Sequence, residues 1–142
     1  MRDEKNLQAI LLGGAAGKFV HPDQLDVRLT QEDARAAGLT LGSGAVVVLS
    51  EDVNLKETLA DLGHFFAHES CGKCFPCRLG TKRGHELLKK ANTSDYKINQ
   101  KLFEDLLNTL EQGSLCAHGG GIPLPVKNAM HYFEDEMKHY FN

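Results

Sequence analysis

Four cysteines, Cys71, Cys74, Cys77 and Cys116, are the residues of this chain most able to do chemistry. They run C-x2-C-x2-C, and a lone fourth follows far downstream. Four thiolates in that order suit a four-iron, four-sulfur cubane, because a triple at every third position supplies three sulfurs from one tight turn and a distant segment brings the last. Two other readings stay open. Structural zinc sites more often pair their ligands as two separated clips, so zinc comes second. Thiol–disulfide exchange needs an exposed pair of low pKa and comes third. All the sulfur being in one set, none remains for a structural disulfide.

Helices must bring the two cysteine segments together. After Asp52 the pattern is helical: Asn54 and Glu57 make a capping-box start, and Leu55, Leu59, Leu62 and Phe66 recur at helical steps. A second helix is predicted from about Cys77 to Lys90, with Cys77, Gly84, Leu88 and Ala91 on one face. A third covers about Gln100 to Gln112, with Leu102, Phe103, Leu106, Leu107 and Leu110 as its stripe and Gly113 as its stop. The fourth opens at Pro125 and carries Val126, Met130, Phe133, Met137 and Tyr140. Short connections make this a four-helix bundle in which both cysteine segments fall at one end, near the surface.

The first part of the chain reads differently. Leu7 to Leu12 is short and apolar, Leu25, Val27 and Leu29 alternate with charged residues, and Ala45 to Leu49 is a β-branched run between turns. Thr30 and Asp33 mark a short helix that Gly38 ends. The expectation is an α+β chain, with a β-grasp-like unit over residues 1–52 and the iron–sulfur bundle over residues 53–142.

Composition narrows the function. The 142 residues are 42% hydrophobic and 25% charged, with a net charge of -3. No apolar run is long enough for a membrane span, and the charged opening Met1-Arg2-Asp3-Glu4-Lys5 is no signal peptide, so no membrane insertion is expected and a cytoplasmic location is. Nor does a slightly acidic chain without a basic block favour nucleic acid.

The stretch Glu69-Ser70-Cys71-Gly72-Lys73-Cys74-Phe75-Pro76-Cys77-Arg78-Leu79-Gly80-Thr81 resembles the cluster motif of the NADH-oxidising flavoprotein subunit of respiratory complex I, and of its relatives in NAD-linked and bifurcating hydrogenases and formate dehydrogenases. Ser114-Leu115-Cys116-Ala117 is similar to that family's fourth-ligand motif, and His131-Tyr132-Phe133-Glu134-Asp135-Glu136 to its closing helix. Gly13-Gly14 and Leu41-Gly42-Ser43-Gly44-Ala45 resemble the SLBB-type β-grasp insert that precedes the bundle. The likeness runs from about Ile10 to the end.

The resemblance implies an electron-transfer subunit that holds one 4Fe–4S cluster on Cys71, Cys74, Cys77 and Cys116. It would relay electrons between a flavin-bearing, NAD(P)-binding partner and other iron–sulfur subunits of a larger oxidoreductase or hydrogenase complex. No segment here is long enough to be the family's flavin and NADH domain, so the chain is expected to bind neither alone and to carry no catalytic residue. Its start at Met1 favours a separately encoded small subunit over an excised piece. The competing function is a zinc-bound docking module without a redox role.

Other residues could mimic or modify a site. Gly13-Gly14-Ala15-Ala16-Gly17-Lys18 looks like a phosphate loop, but the motif needs Gly at Leu12 and a hydroxyl at Phe19, so a tight turn is the better reading. His64 and His68 lack the H-E-x-x-H order and read as helix-surface histidines. Lys73, lying between two cysteines, is the strongest of four basic candidates for tuning a negative cluster. Arg78, Lys82 and Arg83 are the others. His118 stands two residues past Cys116, where the family usually has an apolar side chain, and could couple proton uptake to reduction.

Overall fold

A computed structural model describes residues 5–142; the charged opening at residues 1–4 lies outside the described residues. The chain is α+β and divides into two compact units, Met1–Val53 and Asn54–Asn142.

In the first unit three antiparallel strands, β1 (Leu7–Leu12), β2 (Lys18–Val20) and β3 (Val46–Ser50), make a sheet in the order β2-β1-β3. Ile10 pairs with Val20 on one side and Val48 on the other. The glycine-rich segment after β1 is a hairpin turn. Gly17 N–H donates to the Gly14 carbonyl at 2.8 Å, and a Cβ on Gly17 would stand 2.0 Å from the Leu12 carbonyl oxygen, so no side chain fits there. Lys18 spends its ammonium on the Gly38 carbonyl at 2.6 Å. A turn therefore occupies the place of the phosphate-loop look-alike.

The short helix α1 (Gln31–Ala36) starts as expected at Thr30, whose hydroxyl accepts from Asp33 N–H at 3.1 Å. Leu12, Val20, Ala34 and Leu39 form the core beneath it. The segment Leu25 to Leu29 is not a strand. A 3-10 turn over Pro22–Gln24 precedes it, and Val27 and Thr30 N–H groups close local turns onto Gln24 and Arg28. Donors used locally leave no ladder to build; Val27 packs on the core while Leu25 and Leu29 stay exposed.

The second unit is the helical bundle. Its long members are α2 (Leu55–Glu69), α3 (Phe75–Thr93) and α4 (Gln100–Gly113), and α5 (Ala117–Gly121), α6 (Pro123–Tyr132) and α7 (Glu134–Met137) follow. Asn54 caps α2 through Lys56 N–H and Asn99 caps α4 through Leu102 N–H. Leu55, Leu59, Phe66, Leu88, Phe103, Leu107, Leu110, Val126, Phe133, Met137 and Tyr140 fill the core. Leu102, assigned to the buried stripe of the third helix, is 69% exposed. It lies one step off the face that Phe103, Leu107 and Leu110 share.

The last helix differs from the single run predicted from Pro125. It begins at Pro123 and breaks at Phe133, which leaves helical geometry (φ -120°, ψ 44°). Glu134, Asp135 and Glu136 then open α7, an acidic first turn that suits a new helix start. The chain end is pinned where Ile98 N–H donates to the Tyr140 carbonyl at 2.7 Å and Asn142 N–H to the Ile98 carbonyl at 3.1 Å. Among the described residues no helix is long and apolar enough to cross a membrane.

Candidate metal centre

The loop between α2 and α3 together with the first turn of α3 carries the first three cysteines, and the turn between α4 and α5 carries the fourth. Cys71 and Cys116 are exposed, Cys74 is half-buried and Cys77 is buried. Gly72 gives the first loop its shape. Its φ of +74° turns the chain sharply between Cys71 and Cys74, in a region that side chains resist. Cys74 then stands at the N-cap of α3, with Phe75 and Pro76 opening the helix, and Cys77 falls in its first turn. The N-terminal end of a helix favours a thiolate over a thiol. Cys116 is the residue that immediately precedes the short helix α5.

Main-chain groups bridge the two segments. The N–H groups of Leu115 first, and of Cys77 second, point at the Cys74 sulfur and hold its pKa below the ordinary value of 9.0. Leu115 precedes Cys116, so this contact brings the distant fourth cysteine to the triple. At Cys77 burial pushes the thiol up. A hydrogen bond with Ser70 at 3.3 Å opposes that shift, while the nearness of Cys74, Cys116 and Cys71 adds to it. The Cys77 sulfur therefore feels the charge of the other three, which makes its own thiolate harder to form.

The donor set fits an iron–sulfur cluster. Four thiolates crowded together repel until a cationic metal core offsets their charge, and one buried hydroxyl, Ser114 Oγ, has no hydrogen-bond partner among the described residues. In the side-chain arrangement described, no three His, Cys, Asp or Glu residues have closed into a metal-holding group.

Among the basic candidates, Arg78 is tied to this loop. Its guanidinium donates to the Gly72 carbonyl at 3.4 Å and lies 5.6 Å from the centre of the Phe75 ring. Arg83 is paired with Glu86 at 3.3 Å, one turn further along α3. Lys73 and Lys82 are exposed. His118 does not face open solvent: its Nε2 lies 3.1 Å from the Phe66 carbonyl and its ring meets the Phe66 ring edge-on. On α2 the His64 ring lies 5.1 Å from the His85 ring, tilted to it, and His68 Nδ1 lies 3.1 Å from Glu69 Oε1. Sequence reasoning missed the site roles of Ser70, Ser114 and the Leu115 N–H. A serine close to the cysteines in each segment was the available signal for two of them.

A model of the NADH-ubiquinone oxidoreductase-F iron-sulfur binding region matches residues 57–140. The chain belongs to this family. Its cofactor is a 4Fe–4S cluster. The F subunit of NADH-quinone oxidoreductase in Rickettsia typhi is 30% identical over 136 residues, covering 94% of this chain and 32% of that protein. Its Escherichia coli K12 namesake is 31% identical over 140 residues, covering 97% and 32%. The mitochondrial 51 kDa subunit of NADH-ubiquinone oxidoreductase in Neurospora crassa is 27% identical over 135 residues, covering 94% and 27%. The chain thus spans about a third of the length of these curated relatives. In fold it is similar to a chain of the NAD+-reducing NiFe hydrogenase solved in the H2-reduced state, with a TM-score of 0.84 at 24% identity over 97% of this chain and 24% of that one.

Proposed function

We propose that this chain holds one 4Fe–4S cluster on Cys71, Cys74, Cys77 and Cys116. We propose further that it works as an electron-transfer subunit between a flavin-bearing, NAD(P)-binding partner and other iron–sulfur subunits of a cytoplasmic oxidoreductase or hydrogenase complex. The bound cluster supplies one-electron transfer, and the protein supplies position and potential. The observation that carries this reading is the Leu115 N–H aimed at the Cys74 sulfur, which brings the fourth cysteine to the triple. The relatives' names, an NADH-quinone oxidoreductase subunit and an NAD+-reducing hydrogenase, point to the same class of complex.

The residues divide the work. Cys77 and Cys74 anchor the inner side of the site on the start of α3, while Cys71 and Cys116 lie toward the surface. Phe75 at 66% and Leu115 at 76% exposure flank the cysteines with apolar surface that another subunit can cover. Electron transfer needs only close approach, so ligands at a surface suit a relay.

The test is anaerobic reconstitution with iron and sulfide, followed by metal analysis, visible absorption and electron paramagnetic resonance after reduction. Four irons per chain and a reducible cluster signal are expected. A colourless protein that takes up zinc and no iron would overturn the reading in favour of a structural docking module. Anaerobic co-purification of a flavoprotein from the source cells tests the partner, and NADH oxidation by this chain alone would refute that part.

A further inference from the structure

Each cysteine segment carries a serine close to its cysteine, and the two hydroxyls are committed differently. Ser70 Oγ accepts from the Gly72 N–H at 3.4 Å and lies 3.3 Å from Cys77 Sγ. Once Cys77 is a thiolate it has no proton to give, so the Ser70 O–H is the donor of that pair. Ser114 Oγ is buried and has no partner among the described residues. A buried hydroxyl without a partner is costly and rare, and it calls for a group the protein itself does not supply.

The surroundings say which group. The point where a Gly119 Cβ would stand is 2.3 Å from Ser114 Oγ and 3.0 Å from the Cys77 Cβ. The hydroxyl and the innermost cysteine therefore both pack against Gly119, an approach that only glycine allows at this position. The Ser114 backbone is held, since its N–H donates to the Leu110 carbonyl at 3.2 Å at the end of α4. The fixed main chain keeps this water-excluded hydroxyl beside the Cys77 side chain.

We propose that Ser114 donates its O–H to a sulfur of the cluster, the Cys77 thiolate or a sulfide beside it, and thereby raises the reduction potential. The inference rests on the cysteine set holding the cluster, as above. Reduction adds negative charge that spreads over the sulfurs, so a donor aimed at sulfur stabilises the reduced state more than the oxidised one. The effect is stronger where water is excluded, as it is at this atom. Ser114 is a positioning and tuning residue, not a ligand.

The experiment compares the reconstituted full chain with Ser114→Ala and with the isosteric pair Ser114→Thr and Ser114→Val. Iron content is measured first, then the midpoint potential by titration followed with electron paramagnetic resonance. Alanine and valine are expected to shift the potential negative at full iron content, and threonine, which keeps the hydroxyl, to hold the parent value. Any hydroxyl-free variant with full iron and the parent potential overturns the proposal. Should neither hydroxyl-free variant retain iron, electron–nuclear double resonance of the parent in H2O and D2O decides. An exchangeable proton coupled to the cluster and kept in Ser114→Thr supports it, and its absence overturns it. A parent that binds no iron instead refutes the cysteine assignment, so the two failures are distinct.

Discussion

His118 Nε2 lies 3.1 Å from the carbonyl oxygen of Phe66, tying the turn that follows Cys116 to the last turn of α2. A carbonyl only accepts, so the proton sits on Nε2 and the imidazole is the donor. The ring also packs edge-on against Phe66, at 5.5 Å between centroids. The bond gives the two cysteine-bearing parts of the chain a second point of attachment. His118→Leu keeps apolar bulk and loses the donor, which is expected to cost about 1 kcal/mol. Iron release to a chelator should then be about fivefold faster if opening of this turn limits it. His118→Gln, which retains an N–H, should recover part of the loss. Equal release rates in parent and leucine variant would show that the contact does not hold the site closed.

Cys116 and Cys74 make unequal contributions to closure. Cys74 shares its segment with two other cysteines, whereas Cys116 brings the only thiol of the second segment. Cys116→Ser is therefore expected to lose the 4Fe–4S cluster or leave a three-iron species and to loosen the end of α4. Cys74→Ser should lower iron content with less effect on that helix. Iron analysis, low-temperature electron paramagnetic resonance and hydrogen exchange across Gln100–Gly113 separate the outcomes. Full iron with an unchanged spectrum in both variants would refute the ligand assignment.

Helices were legible wherever a cap and a stripe coincided. Asn54 with Leu55, Leu59 and Phe66, and Asn99 with Phe103, Leu107 and Leu110, each state a start and a buried face. The first unit was harder to read. Leu25, Val27 and Leu29 alternate like a strand, yet a strand needs a partner's ladder, and turn bonds at Val27 and Thr30 had already used the donors. β2 is three residues long and shows no alternation to detect. At the site the cysteines were plain because their chemistry depends on residue type and spacing. The Leu115 N–H was not, since a main-chain donor leaves no mark in the sequence, and the partnerless state of Ser114 Oγ exists only once α4 and α5 are packed.

Gly119 tests the space beside the innermost cysteine. A methyl there would stand 2.3 Å from Ser114 Oγ, 2.6 Å from Ser114 Cβ and 3.0 Å from Cys77 Cβ, overlaps that side-chain rotation alone does not relieve. Gly119→Ala is expected to cost about 1–3 kcal/mol as an overpacked buried site and to lower the iron retained after reconstitution. Circular dichroism should show the helices intact, which separates a distorted site from an unfolded chain. Parent-level iron in this variant would mean that the α5 turn yields without disturbing Cys77.

Tyr140 supplies the pH test. Its ring is fully buried, its hydroxyl donates to Asn92 Oδ1, and Asn92 Nδ2 donates onward to the Lys56 carbonyl at 3.1 Å, so the chain end is tied to α3 and α2 together. Burial pushes the phenol well above its ordinary value of 10.0, the Asn92 bond opposes that shift, and the negative charge of Glu57 adds to it. Because the folded pKa is raised, the folded state prefers the protonated phenol. Its contribution is fully present below pH 10 and falls as pH rises beyond it. Tyr140→Phe is expected to lose about 1 kcal/mol near neutral pH through the missing hydrogen bond, yet to lose less further stability than the parent on going to about pH 11, where the parent alone must keep a phenol from ionising. Denaturant midpoints of the two proteins at about pH 8 and about pH 11 decide it. A parent–variant gap that is the same at both would show that Tyr140 ionises as freely in the folded chain as in the unfolded one.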